Sequence, residues 1–445
     1  MGNHEKLQVA VIGAGPAGLF AAEALASKGF GVALFNRDIK PGGLAEYGIF
    51  PDKLKLKNGL RNQFNTILQS ENIFYLGNIH VSVDSCLAVH TLFEWGFNAV
   101  LITCGAQGTK SLNLPGEKLE GVIHAKDLVY YYNQLPPFAS RDFKFGSRVA
   151  IVGGGNVMAD VVHFLIKYTA VEEITAFIRR GPAEVKFDKK EMVPIIAYLD
   201  QVDFTNEMDR VSGEMRKVGQ EPQAARESIL AAAPVACPKE REARLCFRFL
   251  SSPRQILADE TQQKVIGIEL EENQLLVSDD DVKARGTGKT VNAQCDNVIF
   301  AIGDRVLDEL GLPMNKSEFC KARNPLFPIN GQTFEIEDPG SGENIQGIFI
   351  AGWLRNPSTG LVGTARKDGV YAAEAVGQYL AQKKELTGID REELIQRLRN
   401  QGCVVVTKDL LPVLQAEEKI QAEKAGLEDY KFSTNEKMLK ILGLA

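Results

Sequence analysis

An apolar strand that runs into Gly-x-Gly-x-x-Gly and straight on into a helical pattern leaves a chain few ways to fold. This sequence has that arrangement near its start: Val9-Ala10-Val11-Ile12, then Gly13-Ala14-Gly15-Pro16-Ala17-Gly18, then helical periodicity over residues 19–28. Gly13 permits the tight turn, Gly15 lets a pyrophosphate approach the backbone, and Gly18 lets helix and strand pack closely. The positive end of the helix then faces the phosphates. The spacing by itself is weak evidence, because a glycine-rich turn without a ligand carries the same letters. Here both flanks are those that a dinucleotide site needs.

A second copy follows about 140 residues later, where Arg148-Val149-Ala150-Ile151-Val152 enters Gly153-Gly154-Gly155-Asn156-Val157-Met158-Ala159-Asp160. Two such units imply two dinucleotides, and an α/β fold with two Rossmann-like domains. Met158 takes the third glycine position, where it is expected to hold helix and strand slightly apart, while the amides over residues 154–157 remain able to bind phosphate. The second strand of this copy ends in Arg179-Arg180-Gly181-Pro182, where an NAD enzyme would carry an acid. Two guanidiniums there suit a 2′-phosphate, so NADPH is the expected cofactor; the bland alternative is an unliganded surface pair. In the first copy the corresponding strand, 31–35, ends in Asn36 rather than a carboxylate. An amide can still donate to and accept from a ribose diol, more weakly, and Asp38 is the fallback partner.

Charge and cysteine usage narrow the function further. The net charge of −6 argues against nucleic acid as a general partner. None of the seven cysteines stands in Cys-x-x-Cys spacing and no two of the five histidines stand at i, i+4, so redox-disulfide, iron–sulfur and metal readings are not favoured. The thiols are expected to be reduced and mostly buried. No apolar run is long enough for a membrane span, and the six residues before the first strand are too few for a signal peptide and lack a myristoylation signal, so a soluble, cytoplasmic protein is expected.

The rest of the chain reads as connecting structure around these units. Residues 78–83 alternate like a strand, and the apolar strands over 99–105, 296–303 and 347–353 each end near a glycine. Lys53, Lys55, Lys57 and Arg61 form a basic run, either a solvated face or a surface for an acidic partner. Residues 213–243 are helical in pattern, while Gly286-Thr287-Gly288-Lys289-Thr290 is an incomplete phosphate loop better read as a β-turn. A loop over 356–363 precedes a helix from about 364 to 383, whose first amides suit the electron-rich edge of a reduced flavin. The last 60 residues are charged and largely helical.

Taken together, Gly48-Ile49-Phe50-Pro51-Asp52 with Lys57-Asn58, the second glycine turn, Arg179 to Pro182, and Gly352-Trp353 with Thr359-Gly360 resemble the adrenodoxin reductase type of ferredoxin–NADP reductase. The resemblance spans nearly the whole chain. It implies an NADP domain, residues 106–337, inserted into a discontinuous FAD domain of residues 1–105 and 338–445, the latter with a helical extension. By position it implies FAD contacts from Gly13, Gly15, Ala17, Gly18, Asn36, Gly43, Leu44, Val81, Gly105, Trp353, Gly360, Leu361 and Val362. NADPH would be bound by Gly153, Gly154, Gly155, Asn156 and Val157 at its pyrophosphate and by Arg179 and Arg180 at its 2′-phosphate. Glu191, near the nicotinamide, and Gly360, between the cofactors, are the residues implied at the reacting centre. Hydride would pass between NADPH and flavin, and single electrons to or from a ferredoxin-type iron–sulfur protein. Lys53 stands where the family typically has His, and the wording of Tyr47-Gly48-Ile49 drifts toward the small subunit of glutamate synthase, an electron-input subunit of a larger complex. A non-catalytic NADP-sensing scaffold is the reading from a different class.

Overall fold

The computed structural model describes residues 6–278 and 281–445, which fall into two compact units. The first comprises Met1–Thr109, Tyr130–Ser140 and Gly303–Ala445, and the second Lys110–Val129 and Arg141–Ile302. The first unit is thus assembled from three stretches of chain.

Its centre is a seven-stranded sheet in the order Glu335–Glu337, Asn344–Ile350, Ala99–Ile102, Val9–Ile12, Val32–Asn36, Ile73–Gly77, Val406–Thr407. The inner five strands are parallel and only the two edge strands run antiparallel. Parallel strands covered on both faces need apolar residues at every position, and this explains the unbroken runs in the sequence. Successive side chains go to opposite faces: Val9 and Val11 join one core cluster, Ala10 and Ile12 the other. The helices Pro16–Ser27 and Val362–Ala381 pack on the first of these faces. Their approach is close, because a side chain at Gly369 would collide with the Ala17 carbonyl.

The second unit holds a five-stranded, wholly parallel sheet in the order Arg244–Phe249, Glu173–Ile178, Arg148–Val152, Asn297–Phe300, Val122–His124. Beside it lies an antiparallel meander of Ser251–Ala258, Val265–Ser278 and Asp281–Gln294. Two strand–glycine turn–helix copies, one per unit, match the α/β architecture read from the sequence.

The units differ from the expected bounds in three places. Residues 106–109, 130–140 and 303–337 belong with the first unit. Strand pairing is the reason for two of them: Asp304–Arg305 pairs with Gly108–Thr109, and Glu335–Glu337 lines the edge of the seven-stranded sheet. Residues 130–140 join it because Tyr130 and Leu135 pack with Tyr47. Local expectations also shift. Residues 78–83 form no regular strand; Asn78 takes φ 62°, and Val81 makes an isolated bridge to Leu87. The helical stretch ends at Leu230, and the Gly286–Thr290 stretch, read as a turn, lies inside the long strand Asp281–Gln294. Only Cys246, Cys295 and Cys320 are buried, Cys86 and Cys237 are exposed, and all seven thiols are free.

Candidate functional site

The first glycine turn is set by its neighbours in the sheet. Gly13 has φ 106°, and a side chain there would come within 2.8 Å of Thr103 and Cys104 backbone atoms. Gly18 has its Cα against the Gly13 carbonyl, so no larger residue fits. Thr103 Oγ1 donates to the carbonyls of Gly13 (2.8 Å) and Ile12 (3.0 Å) and holds the turn from the adjacent strand end. Gly15, by contrast, faces open space, with no atom within 4 Å of where a side chain would begin. It is the N-cap of the helix Pro16–Ser27, which has no capping side chain and no acid in its first turn. The helix start therefore keeps unsatisfied amides and a positive end, which is what a pyrophosphate needs.

Asn36 does something the sequence reading missed. Its Oδ1 accepts from the Ala14 amide (3.0 Å), and its Nδ2 donates to the carbonyls of Asp38 (2.8 Å) and Lys40 (3.0 Å). The side chain thus fastens the glycine turn to the following loop instead of presenting itself to a ribose. A carboxylate could not do this, because it has no donor for the two carbonyls. The outward groups at this corner are Arg37 and Asp38, paired at 3.1 Å.

The loop after Lys40 approaches the same turn. The Gly42 amide donates to the Ala14 carbonyl (2.7 Å), and Gly43, at φ 49°, would place a side chain 3.1 Å from Gly15 Cα. Leu44 opens the single helical turn Leu44–Tyr47 and packs with Tyr47, Tyr130 and Leu135. Val81 is buried, Gly105 takes φ 73°, and desolvation of the half-buried Cys104 beside it pushes its thiol up to about 12.

Gly352 starts the other wall of this unit. Its amide donates to Asp368 Oδ2 (2.6 Å), and Asp368 is paired with the buried Arg355. Trp353 Nε1 donates to the Thr359 carbonyl (3.0 Å), closing the loop over 356–359. Gly360 follows at φ 72°, and the helix Val362–Ala381 begins with Leu361 as an uncapped N-cap, more than half exposed. The expected FAD contacts therefore share one unit, with Asn36 turned inward.

The second unit repeats the cradle. Gly155 has open space around it and caps the helix Asn156–Tyr168 without a side-chain bond or an acid in the first turn. Gly154 is tighter, since a side chain there would begin 3.0 Å from Ile178, and one at Gly153 would run into the Ala301 carbonyl. Met158 is fully buried on the inner face of this helix. Val157 is exposed at the helix start. The Asn156 side chain is engaged with Asp188: Nδ2 donates to Asp188 Oδ2 (2.9 Å) and Oδ1 accepts from the Asp188 amide (2.7 Å). That exchange carries the short helix Lys189–Met192, with the nearly buried Glu191, back to the glycine turn.

Arg179 and Arg180 stand just past the strand Glu173–Ile178. Asn273 Nδ2 donates to the Arg179 carbonyl (2.8 Å) and the Leu250 amide to the Arg180 carbonyl (3.1 Å), so the backbone of this corner is held by the meander. Among the described residues neither guanidinium enters a salt bridge, which leaves both available to an anion.

The basic run on residues 53–61 is divided between interior and surface. Lys57 and Arg61 stand four apart on the helix Leu54–Leu68 and share its inner side; Lys57 is buried and Arg61 is bound to Glu46 and Asp429. Lys55 alone of the four is fully exposed. Thr103, Asn273, Arg355 and Asp368 are the positioning residues that pattern reading missed. Only Thr103 had a signal, as the one hydroxyl ending an apolar strand.

Comparison with known proteins agrees with this geometry. Residues 7–221 match the family model described as pyridine nucleotide-disulphide oxidoreductase. The NADPH-ferredoxin reductase FprA of Mycobacterium leprae is 29% identical over 85% of each chain. The mitochondrial NADPH:adrenodoxin oxidoreductase of Arabidopsis thaliana is 26% identical over 98% of this chain and 91% of that one. The structure of Mycobacterium tuberculosis FprA in complex with NADPH has the same fold, with a TM-score of 0.81 over 99% of both chains at 24% identity. In the described residues no helix is long and apolar enough to cross a membrane. With this fold, two open glycine turns and relatives matched over most of their length, the chain is similar along nearly its whole length to ferredoxin–NADP reductases of the adrenodoxin reductase type.

Proposed function

We propose that this protein is an FAD-dependent oxidoreductase that exchanges hydride with NADPH and single electrons with a ferredoxin-type iron–sulfur protein. The observation that carries the reading is the repeated cradle: two helices of twelve and thirteen residues, one in each unit, start uncapped at Gly15 and Gly155 with open space before them. Each start offers amides and partial positive charge to a pyrophosphate and has no side chain of its own to satisfy them. When bound, FAD supplies the step between a two-electron donor and a one-electron partner.

The chain's own residues supply position and charge. Gly13, Gly15, Ala17, Gly18 and Gly43 line the FAD pyrophosphate cradle, and Leu44, Val81, Gly105, Trp353, Gly360, Leu361 and Val362 are assigned to the rest of that cofactor. With Asn36 committed to backbone, Arg37 and Asp38 take over its ribose end. Gly153, Gly154, Gly155 and Val157 hold the NADPH pyrophosphate through backbone, and Asn156 serves by fixing the Asp188 loop. Arg179 and Arg180 select the 2′-phosphate with charge-assisted bonds, and Glu191 is assigned to the nicotinamide end. The setting we propose is the cytoplasm, where exposed thiols such as Cys86 and Cys237 stay reduced.

The purified chain is expected to be yellow, to release FAD on denaturation, and to reduce an artificial acceptor with NADPH far faster than with NADH. A colourless protein that takes up no FAD on reconstitution would overturn the assignment, and equal rates with the two nucleotides would overturn the role of the arginine pair.

A further inference from the structure

Resting on the FAD assignment above, we propose that the C-terminal segment is part of the flavin cradle, with Lys431 as the positioning residue that holds the turn Leu44–Tyr47 in place.

That turn cannot hold itself. It is four residues long, has no side-chain cap, and follows two glycines at positive φ, Gly42 and Gly43. One helical turn has too few internal bonds to be stable alone, so its position must come from outside contacts. At its start the contact is the Gly42 amide on the Ala14 carbonyl (2.7 Å). At its end it is Glu46, whose carboxylate is only 4% exposed.

Lys431 reaches this end from nearly 400 residues along the chain, itself 8% exposed. Its Nζ lies 2.9 Å from Glu46 Oε1, donates to the Glu46 carbonyl (2.8 Å) and the Asn133 carbonyl (3.3 Å), and sits 4.9 Å from the centre of the Tyr47 ring. One ammonium thus meets the carboxylate, an end carbonyl and the aromatic ring of the same short turn. The carbonyl it takes is among those a helix end leaves unsatisfied.

Two further ties run in parallel. Asp429 grips Arg61 with two bonds (2.8 and 3.0 Å), and Arg61 in turn grips Glu46 (2.6 and 2.7 Å). Glu418 takes Lys40 (2.6 Å), which stands 3.8 Å from Glu46. Lys40, Arg61 and Lys431 balance Glu46, Glu418 and Asp429, three charges of each sign, with Glu46, Lys40, Glu418 and Lys431 inside and Arg61 and Asp429 at the half-buried rim. Half of them come from the C-terminal segment, so the turn keeps its place only while that segment is docked. Lys57 is the fourth cation nearby, bonded to Asn133 Oδ1 (2.6 Å); burial, then repulsion from Lys431, lowers its pKa to about 7, with Glu46 and Asp429 opposing and Arg61 adding to the repulsion.

The test uses the full chain as wild type, Lys431→Met, Lys431→Arg and Asp429→Asn. FAD affinity is measured by quenching of flavin fluorescence, and hydrogen exchange of the amides over 44–48 is followed in FAD-free protein. Lys431→Met is expected to weaken FAD binding by roughly tenfold or more and to speed exchange at 44–48, with no change in NADPH affinity. Lys431→Arg restores most of both, and Asp429→Asn, at a more exposed site, gives a smaller change of the same sign. Should Lys431→Met fail to fold, Asp429→Asn alone decides. FAD affinity and exchange both within twofold of wild type would overturn the proposal. Wild type that takes up no FAD would instead sink the functional reading, while the exchange measurement would still report on the tie to Lys431.

Discussion

Asp368→Asn is a near-isosteric change that removes one charge from a closed site, and the structure sets its cost. Asp368 Oδ2 accepts from the Gly352 amide (2.6 Å) and from Arg355 Nε (3.1 Å), and Oδ1 accepts from a second nitrogen of the same guanidinium. Arg355 is 7% exposed and Asp368 9%, so water cannot replace what is lost. Arg355 keeps Gln332 Oε1 (2.9 Å) and its seat 4.5 Å from the Phe334 ring, but neither carries a counter-charge. A buried ion pair broken on one side typically costs about 3–5 kcal/mol, because the surviving charge stays desolvated. Asp368→Asn and Arg355→Met should each cost about that much in urea denaturation followed by circular dichroism. The double variant, with no buried charge left, should be no less stable than the worse single, so the cycle gives a coupling of about 3 kcal/mol or more. A loss below about 1 kcal/mol in Asp368→Asn, or additive losses in the double variant, would refute the reasoning.

Three further outcomes follow from other parts of the molecule. Arg179→Ala with Arg180→Ala should weaken NADPH binding, read by calorimetry, by roughly 30-fold or more while leaving NADH within twofold, since each charge-assisted bond contributes about 1.5–3 kcal/mol; equal losses for the two nucleotides would dissociate the pair from the 2′-phosphate. Lys57, held near 7 in the fold by burial and Lys431, binds fewer protons when folded than when unfolded, so stability should rise from pH 7 toward 10 by up to about 1.4 kcal/mol per unit. Lys57→Met should flatten that rise in denaturation midpoints taken at pH 7, 8 and 9, and an unchanged slope would show that the group does not titrate there. Cys86 is exposed, and the half-buried Cys403, its thiol pushed up to about 12 by burial and then by the Cys86 thiol, lies within its reach, so hydrogen peroxide should join this pair before any other, two thiols and one peroxide giving one disulfide and two waters. Peptide mapping should find that link in wild type and lose it in Cys86→Ser, and a different first pair would count against the contact.

What could be read from the sequence was what repeats or alternates. Val9 to Gly18 and Val149 to Gly155 announced strand, turn and helix because apolar runs and glycines at fixed spacing have few other uses, and the corner at Arg179 followed from its place after the strand. Side-chain commitments made across the fold could not be read. Asn36 looks like a weak ribose ligand until the carbonyls of Asp38 and Lys40 are seen to claim its amide hydrogens. Lys57 looks like part of a basic surface until the helix turns it inward against Asn133. Glu46 gives no hint that its partners include Lys431, because no local pattern links residues so far apart. Residues 303–337 read as part of the inserted domain for a similar reason, since the strand at Glu335–Glu337 pairs with a partner that follows it and not with the strands before it.

The strand order of the larger sheet also governs how the molecule can be made. Asn344–Ile350 lies next to Ala99–Ile102, and Val406–Thr407 closes the far edge against Ile73–Gly77. A ribosome that has finished the first hundred residues has therefore released strands whose neighbours do not yet exist. The smaller unit, complete by Ile302, can fold during synthesis while those strands wait with exposed edges. Slow translation or truncation after Ile302 would leave a folded nucleotide-binding body carrying a sticky, unfinished sheet, a product that chaperones must shield until the last helix emerges.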